Sequence, residues 1–312
     1  MRVTNNMLTQ NLLRNLENAN SRMELIQNQL SSGQAITRPS DDPVGIETAL
    51  RLKSTISSME QWKNNTSEAL TYMETTESIM NNLTTMLQRI RELTVKGADG
   101  SNSLDDRAQI AKEIDQLTLQ FRVMANSQVS GKYIFSGTLI NKAPLDDYFG
   151  TDIPPLPPEQ WNGNGKVMEF ETGPNVNIPI SISGMELFEI YEDTGTAPST
   201  MQSKFFNTLN QLSQALYDDD TDDINNALDE IDDHMDNFLK LRSELGARTN
   251  RMYVIADQLD NSINIVKKNL SNIQDVDMAG AIMEFKSVEN VFRAALAVGA
   301  QIIQPSLVDF MR

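Results

Sequence analysis

The chain has 312 residues, enough for two or three domains with a sizeable buried core. Its formal net charge of −17 argues against general binding to nucleic acid or docking on anionic lipid. Because it contains no Cys, disulfides, thiolate metal sites and thiol nucleophiles are excluded.

The first predicted element is a helix over residues 5–32. Its apolar positions recur at intervals of four and three residues, which is the a/d spacing of a coiled coil. They are Leu12, Leu16, Ala19, Met23, Ile26 and Leu30. The stretch has no apolar region of the kind that a Sec-type signal peptide needs. A helix of this length is about 40 Å long and is stable only when it packs on a partner.

A turn separates this helix from a second one, predicted over residues 44–96. Gly33 suits the left-handed conformation that ends a helix. The turn itself is Arg38, Pro39, Ser40, Asp41, Asp42 and Pro43. Asp42 suits the N-cap position and Pro43 the first helical position of the second helix. An alternative reading, in which Asp41 and Asp42 are paired catalytic carboxylates, is much weaker than the capping role.

Ser103 and Asp106 have the spacing of a capping box and predict the start of a third helix. This helix is expected to end near Ser130 and Gly131. Its predicted apolar face contains Leu104, Ala108, Ala111, Ile114, Leu117, Phe121 and Met124.

The composition changes over residues 139–198, which contain most of the prolines and many of the glycines. A strand is predicted just before this region, at residues 132–135. Alternating apolar residues predict further short strands at 167–171 and 176–182, while residues 185–190 fit a helix or a strand equally well. The region is therefore predicted to be a small β-rich insertion.

Helical spacing returns after the insertion. Helices are predicted over residues 199–217, 222–272 and 278–304, with an acidic loop at 218–223 between the first two. Either Asp275 or Asp277 should cap the last helix. The apolar seam of that helix contains Ile282, Phe285, Phe292, Leu296 and Ile303. Its longest apolar run is too short to span a bilayer.

The predicted fold class is mainly α, a long antiparallel helical bundle or coiled coil that folds back on itself, with a small β-rich insertion domain. We expect three parts. Residues 1–35 and 275–312 form a terminal coiled-coil domain, residues 36–138 and 199–274 form a helical middle domain, and residues 139–198 form the β-rich outer domain. The N-terminal and C-terminal helices should pair with each other.

The sequence offers little for catalysis, so we predict no catalytic, cofactor-binding or metal site. The one histidine, His234, lies in a helical stretch rich in acids, and we interpret it as exposed or structural. The run of acids at 218–223 lacks the glycine and glutamate that an EF-hand loop requires at its sixth and twelfth positions. It is better explained as a solvated loop.

The two terminal apolar seams are the strongest functional signal. A pair of helices cannot shield apolar stripes as a globule does, and the small residues Ala294, Ala295, Ala297, Gly299 and Ala300 allow a close helix approach. The alternative is packing within one molecule only. We favour packing between neighbouring copies, with an assembly seam formed by Leu12, Leu16, Met23, Ile26, Leu30, Ile282, Phe285, Phe292, Leu296 and Ile303.

Several motifs resemble those of the flagellin family. LSSGQAITRPSDDPVG, at residues 30–45, resembles the N-terminal flagellin signature, and LGARTNR, at 245–251, resembles the matching C-terminal segment. Three further segments resemble the hook-filament junction branch of that family, the hook-associated protein 3 type. They are RVTNNM at 2–7, KYIFSG at 132–137 and QPSLVDF at 304–310.

The resemblance implies a structural protein of the bacterial flagellum, exported by the flagellar type III apparatus. It would form a ring of identical copies between the hook-proximal junction protein and the flagellin filament. A cytoplasmic chaperone would bind residues 279–312 before export. Neither nucleic acid nor membrane insertion is expected. A filament-forming flagellin and a secreted, membrane-active helical effector remain alternatives.

Overall fold

The computed structural model describes residues 5–145, 161–193 and 200–303. Within these residues the helices are α1 (Asn5–Ser32), α2 (Pro43–Ala98), α3 (Leu104–Ala125), α4 (Gly184–Leu187), α5 (Lys204–Asp218), α6 (Thr221–Gln274) and α7 (Met278–Ile303). The strands are β1 (Gln128–Val129), β2 (Lys132–Tyr133), β3 (Glu169–Gly173), β4 (Val176–Pro179), β5 (Ile190–Asp193) and β6 (Thr200–Ser203). Long helices therefore dominate the described part of the chain.

Local capping signals determine where the first two helices end and begin. Gly33 has a φ of +72°, and its N–H donates to the carbonyl of Gln29 over 2.8 Å at the end of α1. Asp42 Oδ1 accepts the N–H groups of Val44 and Gly45 at 3.1 and 3.0 Å. These bonds satisfy donors that the first turn of a helix leaves free. The predicted cap at Asp42 is confirmed.

Helix α3 begins as predicted but buries a different face. The side chains of Ser103 and Asp106 form the expected capping box. However, Leu104 is exposed, and α3 ends at Ala125 rather than near residue 130. The buried side is formed by Arg107, Ile110, Ala111, Ile114, Asp115, Thr118, Phe121 and Ala125. Two ionic side chains thus replace apolar residues in the buried face, because α3 packs against α5, which offers them partners.

The acidic run at 218–223 is the junction between α5 and α6. Asp219 ends α5 in the left-handed conformation, with a φ of +60°. Asp220 Oδ1 accepts the N–H groups of Asp222 and Asp223 at 3.0 and 3.2 Å, at the start of α6. Short polar side chains satisfy backbone donors of this kind better than other residues. The run therefore ends one helix and starts the next.

The insertion contains short two-stranded ribbons, and within the described residues no larger sheet forms. β1 pairs with β2, β3 with β4 and β5 with β6, all antiparallel. The strand predicted at 132–135 is only two residues long, and those predicted at 167–171 and 176–182 shift to β3 and β4. The ambiguous stretch at 185–190 divides between α4 and β5. The helix predicted from 199 begins at Lys204, because Thr200–Ser203 pairs with β5.

The backbone separates into two compact units. Unit 1 is Met1–Glu60 with Asn261–Arg312, and unit 2 is Gln61–Asp260. Both boundaries fall inside the long helices α2 and α6. The three-part division that composition suggests stays a prediction.

Unit 2 contains a continuous apolar core. Its largest completely buried side chains include Phe121, Phe135, Phe188, Phe205, Phe206 and Phe238. Within this unit α2 and α6 run antiparallel, as the partners of the ion pairs along them show: Lys63 with Asp260, Glu77 with Arg242 and Arg91 with Asp232. The threonines of α2 fit this core because their hydroxyls bond the carbonyl four residues earlier, as in Thr66 to Trp62 and Thr76 to Tyr72, both at 2.8 Å.

Unit 1 is built differently, from helix pairs alone. Helix α1 packs against α7, and Lys267 of α6 pairs with Glu60 of α2 at 2.7 Å. The pairing of the two terminal helices is confirmed. The predicted fold class, a long antiparallel helical bundle with a small β insertion, is confirmed as well.

Candidate assembly surface

The α1–α7 pair is held by close packing and one ion pair. A Cβ atom on Gly299 would lie only 2.7 Å from Leu12 Cδ2, so the glycine is what lets the two helices approach there. Arg22 Nη2 lies 2.5 Å from Glu284 Oε1. Both of these charged groups are largely exposed, so the ion pair adds little stability. The pair therefore depends mainly on its apolar contacts.

Two short connections tie the helices of unit 1 together at one end. The N–H of Ala35 donates to the carbonyl of Gln274 at 2.7 Å, and the N–H of Val276 donates to the carbonyl of Gly33 at 3.0 Å. Asp277 Oδ1 accepts the N–H of Ala279 at 3.1 Å, so Asp277 and not Asp275 caps α7. The segment that follows α1 and the segment that precedes α7 are thus joined by backbone bonds, which helps to set the register of α1 on α7.

The predicted signature turn, Arg38, Pro39, Ser40, Asp41, Asp42 and Pro43, is exposed but well ordered by hydrogen bonds. Asp41 Oδ2 accepts the N–H groups of Arg38 and Thr37 at 2.9 and 3.3 Å. The bond from Arg38 lowers the pKa of Asp41 below its usual value. The two acids therefore organise the backbone, Asp41 within the turn and Asp42 at the start of α2.

The predicted seam residues fall into two groups, those that are buried or half-buried in the single copy and those that remain exposed. Ile26 is fully buried, and the others of α1 (Leu12, Leu16, Met23 and Leu30) are half-buried. On α7, Phe285 and Phe292 are half-buried, whereas Ile282 and Leu296 remain about half exposed, at 50% and 48%. The side chain of Ile303 lies outside the described residues. The role of these ten residues in assembly stays a prediction.

More apolar surface remains on this pair than the seam alone accounts for. Exposed large apolar side chains on α1 and α7, besides Ile282 and Leu296, are Met7, Leu13, Leu25, Met278, Met283, Val291 and Val298. We call these nine side chains together the uncovered stripe. Four of them adjoin seam positions in sequence, a signal that the narrow a/d reading passed over because it selects only two positions in seven. Large exposed apolar patches mark interaction sites, so these side chains are candidates for one.

The charge of the chain is distributed unequally between the units. Unit 1 contains eleven Lys or Arg and eleven Asp or Glu, so its formal net charge is zero. Unit 2 contains the remaining fifteen basic and 32 acidic residues and therefore the whole charge of −17. Packing copies through unit 1 consequently meets no net repulsion from its own charge.

Nothing in the described residues is arranged for catalysis. No group of three or more His, Asp or Glu among them could hold a metal ion. His234, which the sequence suggested lay among solvated charges, is completely buried between α5 and α6. None of the described helices has the length and apolar character required to cross a membrane.

Comparisons with known proteins agree with this architecture. Residues 3–139 match the bacterial flagellin N-terminal helical region, and residues 228–311 match the bacterial flagellin C-terminal helical region. The chain is 25% identical to the flagellar filament 33 kDa core protein of Treponema phagedenis over 97% of this chain and 96% of that one. It is 24% identical to the flagellar hook-associated protein 3 of Escherichia coli over 95% of both chains.

A solved structure shows the same fold. The flagellar hook-associated protein 3 of Legionella pneumophila superimposes with a TM-score of 0.58 at 17% identity, covering 72% of this chain and 98% of that one. The two family matches include both terminal helices and most of α2, α3 and α6. The chain belongs to the flagellin family, and it is a structural, non-enzymatic protein of the extracellular flagellar axis.

Proposed function

We propose that this protein forms the junction layer between the hook-associated ring and the flagellin filament. Copies join by packing the uncovered stripe of α1 and α7 against the same helices of neighbouring copies. The observation that carries the proposal is this stripe of nine exposed apolar side chains on a unit of zero net charge. Burial of such apolar surface contributes about 25 cal/mol for each Å², which would favour association strongly.

The junction role, as distinct from the filament, is supported by particular motifs. The turn sequence PSDDP at 39–43 and the ending QPSL at 304–307 resemble the junction branch. The Escherichia coli relative and the Legionella pneumophila structure both have names of that type. We infer that the neighbours along the axis are the hook-proximal junction protein on one side and flagellin on the other.

Removal of residues 281–312 tests the assembly role. The core of unit 2 lies within residues 69–252 and is untouched by this truncation. We expect the truncated chain to keep a cooperative unfolding transition and to be absent from flagella. Normal incorporation of the truncated chain would contradict the proposal.

A finer test replaces apolar side chains in the stripe without shortening the chain. Ile282→Ser combined with Leu296→Ser should prevent incorporation while leaving thermal stability nearly unchanged, because both side chains are already exposed in the single copy. The control is Val123→Ser, which changes an even more exposed apolar side chain, on α3 in unit 2. Equal loss of incorporation in the control would sink the idea that unit 1 carries assembly.

A filament-forming flagellin is the second candidate. It is favoured by the Treponema phagedenis relative, a filament core protein that matches over nearly its whole length. Immunogold labelling of intact flagella separates the two. A junction protein labels a short zone next to the hook, and a filament protein labels the full length. The membrane-active effector is not supported, given the family.

The export chaperone is inferred for the same C-terminal segment that assembles. Residues 279–303 of this segment belong to α7 and include five members of the stripe. A chaperone that covers them would prevent premature association in the cytoplasm. Co-purification of the full chain with a small cytoplasmic protein, lost in the 281–312 truncation, is the expected result; retention of that protein would place its binding site elsewhere.

A further inference from the structure

The one histidine of the chain is fully buried in unit 2 and has a partner at each ring nitrogen. His234 Nδ1 lies 3.3 Å from Glu189 Oε1, and Nε2 lies 3.3 Å from Thr208 Oγ1. The ring of Phe205 packs on it edge to face, with the centroids 5.3 Å apart. Thr208 Oγ1 in turn lies 2.5 Å from Glu230 Oε2 and 3.1 Å from the carbonyl oxygen of Lys204. Four polar side chains thus form a chain of three contacts.

A count of hydrogens shows that this chain is incomplete at neutral pH. Each contact needs one hydrogen, so three are required. A neutral imidazole supplies one and the Thr208 hydroxyl supplies one, whereas an ionised Glu189 or Glu230 supplies none. One of the three contacts must therefore lack a hydrogen until one of these side chains binds a proton.

The distances indicate which contact lacks it. Two oxygens 2.5 Å apart need a hydrogen between them, so the Thr208 hydroxyl donates to Glu230 rather than to the more distant carbonyl of Lys204. Thr208 then accepts from the ring, which places the ring hydrogen on Nε2. The lone pair of Nδ1 is left facing the carboxylate of Glu189. We propose that His234 fastens the turn at Glu189 to α6 only after it takes up a second hydrogen at Nδ1, which makes this turn a pH-sensitive joint.

The position of Glu189 determines what the joint holds. Glu189 links α4 to β5, and its φ of +48° is a left-handed conformation that non-glycine residues seldom adopt. Its carbonyl accepts the N–H of Lys204 at 3.1 Å, and its Oε2 lies 3.7 Å from Lys204 Nζ. The charged groups that face the ring are therefore Glu189, Lys204 and Glu230. The joint fastens the residue just before the β5–β6 hairpin to the helical core.

Water can supply this proton, and no other bond forms or breaks when His234 Nδ1 takes it up. Burial lowers the pKa of His234, and the charge and hydrogen bond of Glu189 act in the opposite direction. His234 therefore takes up the proton at a pH below about 6.5, which is the ordinary pKa of a histidine side chain. Since Glu189 favours the protonated ring, the same proton must strengthen the contact with Glu189, because linkage is reciprocal.

The first test uses the wild-type chain, because a single histidine gives unambiguous nitrogen NMR signals. At pH 8 we expect the hydrogen on Nε2 and a bare Nδ1, and on acidification we expect the second hydrogen to appear at Nδ1. A hydrogen on Nδ1 at pH 8 would overturn the assignment of the incomplete contact.

The second test is Glu189→Gln. The glutamine amide can donate a hydrogen bond to the bare Nδ1, so this contact no longer requires protonation of the ring. The pKa of His234 should fall in this variant. The unfolding constant of the variant relative to wild type should rise as the pH falls from 8, by about fivefold once the ring is protonated in the folded wild-type chain, which is the size of one hydrogen bond. The matched control is Glu186→Gln, an exposed acid on α4, for which the ratio should not change with pH. A flat ratio for Glu189→Gln, or an equal slope in the control, refutes the joint.

Discussion

The two compact units of this molecule differ in how they hide apolar surface. Unit 2 buries six phenylalanines completely, and Phe188 alone has five aromatic neighbours with ring centroids within 6.1 Å. In the described part of unit 1, the buried apolar side chains are only Ile26, Ala49, Ile56, Ile263 and Ala281. Unit 2 also carries the whole net charge, and unit 1 carries none.

One chain can thus separate the surface used for folding from the surface available for assembly. A unit with a continuous core can be stable alone, and its negative charge keeps it soluble. A pair of helices has no third layer to cover its outer faces, so its remaining apolar surface is available to other copies. The free energy of unfolding should therefore be governed by unit 2, and the free energy of association by unit 1.

The largest expected effect comes from the aromatic core. Phe188→Ala should lower the free energy of unfolding by about 3–5 kcal/mol, because it leaves a cavity among packed rings. Phe292→Ala, on the half-buried face of α7, should cost far less in a single copy. Denaturant titration of both variants measures the contrast. Equal losses would mean that the terminal pair is as much a folded core as unit 2.

A buried cation should give the next largest effect. The Arg107 guanidinium pairs with Asp219, and its Nε and Nη2 donate to the carbonyls of Gly97 and Asp99 at 2.9 and 3.2 Å. Arg107→Ala should cost about 3 kcal/mol, because it removes the partner of a charge and of two carbonyls. Lys112→Ala, an exposed cation of the same helix, serves as the control and should melt like wild type.

A smaller effect is expected at the signature turn of unit 1. Asp42→Ala removes the acceptor for the first N–H groups of α2 and should cost about 1 kcal/mol of local helix stability. Amide hydrogen exchange at Val44 and Gly45 should quicken, while the global transition of unit 2 stays in place. A shift of the global transition by the same amount would show that the two units unfold as one.

The smallest effect is expected for the pH dependence of the free energy of unfolding of unit 2. Burial lowers the pKa of His234, so as pH falls below about 6.5 the unfolded chain binds the proton first. The free energy of unfolding should therefore fall with pH through this window and level off below the pKa of the folded state. The slope should be smaller in His234→Gln. An unchanged slope in that variant would assign the acid sensitivity to other groups.

Much of the fold could be predicted because its signals are local. Gly33, Asp42 with Pro43, and Ser103 with Asp106 each act within a few residues, and each marks a helix end in the structure. The a/d spacing also predicted that the terminal helices pair. The full width of the uncovered stripe could not be predicted, because the spacing does not show how much of each helix its partner covers.

The capped helix ends at Gly33, Asp42 and Ser103 and the family membership follow from the sequence alone, since they depend on neighbouring residues and on local motifs. The burial of Arg107, Asp115 and His234 and the exposure of Leu104 and Leu13 came instead from tertiary packing. Burial of an ionic or polar side chain depends on partners that lie elsewhere in the sequence, as Ser213 does for Asp115 and Asp219 for Arg107. A polar residue is buried only where the fold brings such a partner to it, and a local sequence pattern does not show which distant residues the fold brings together.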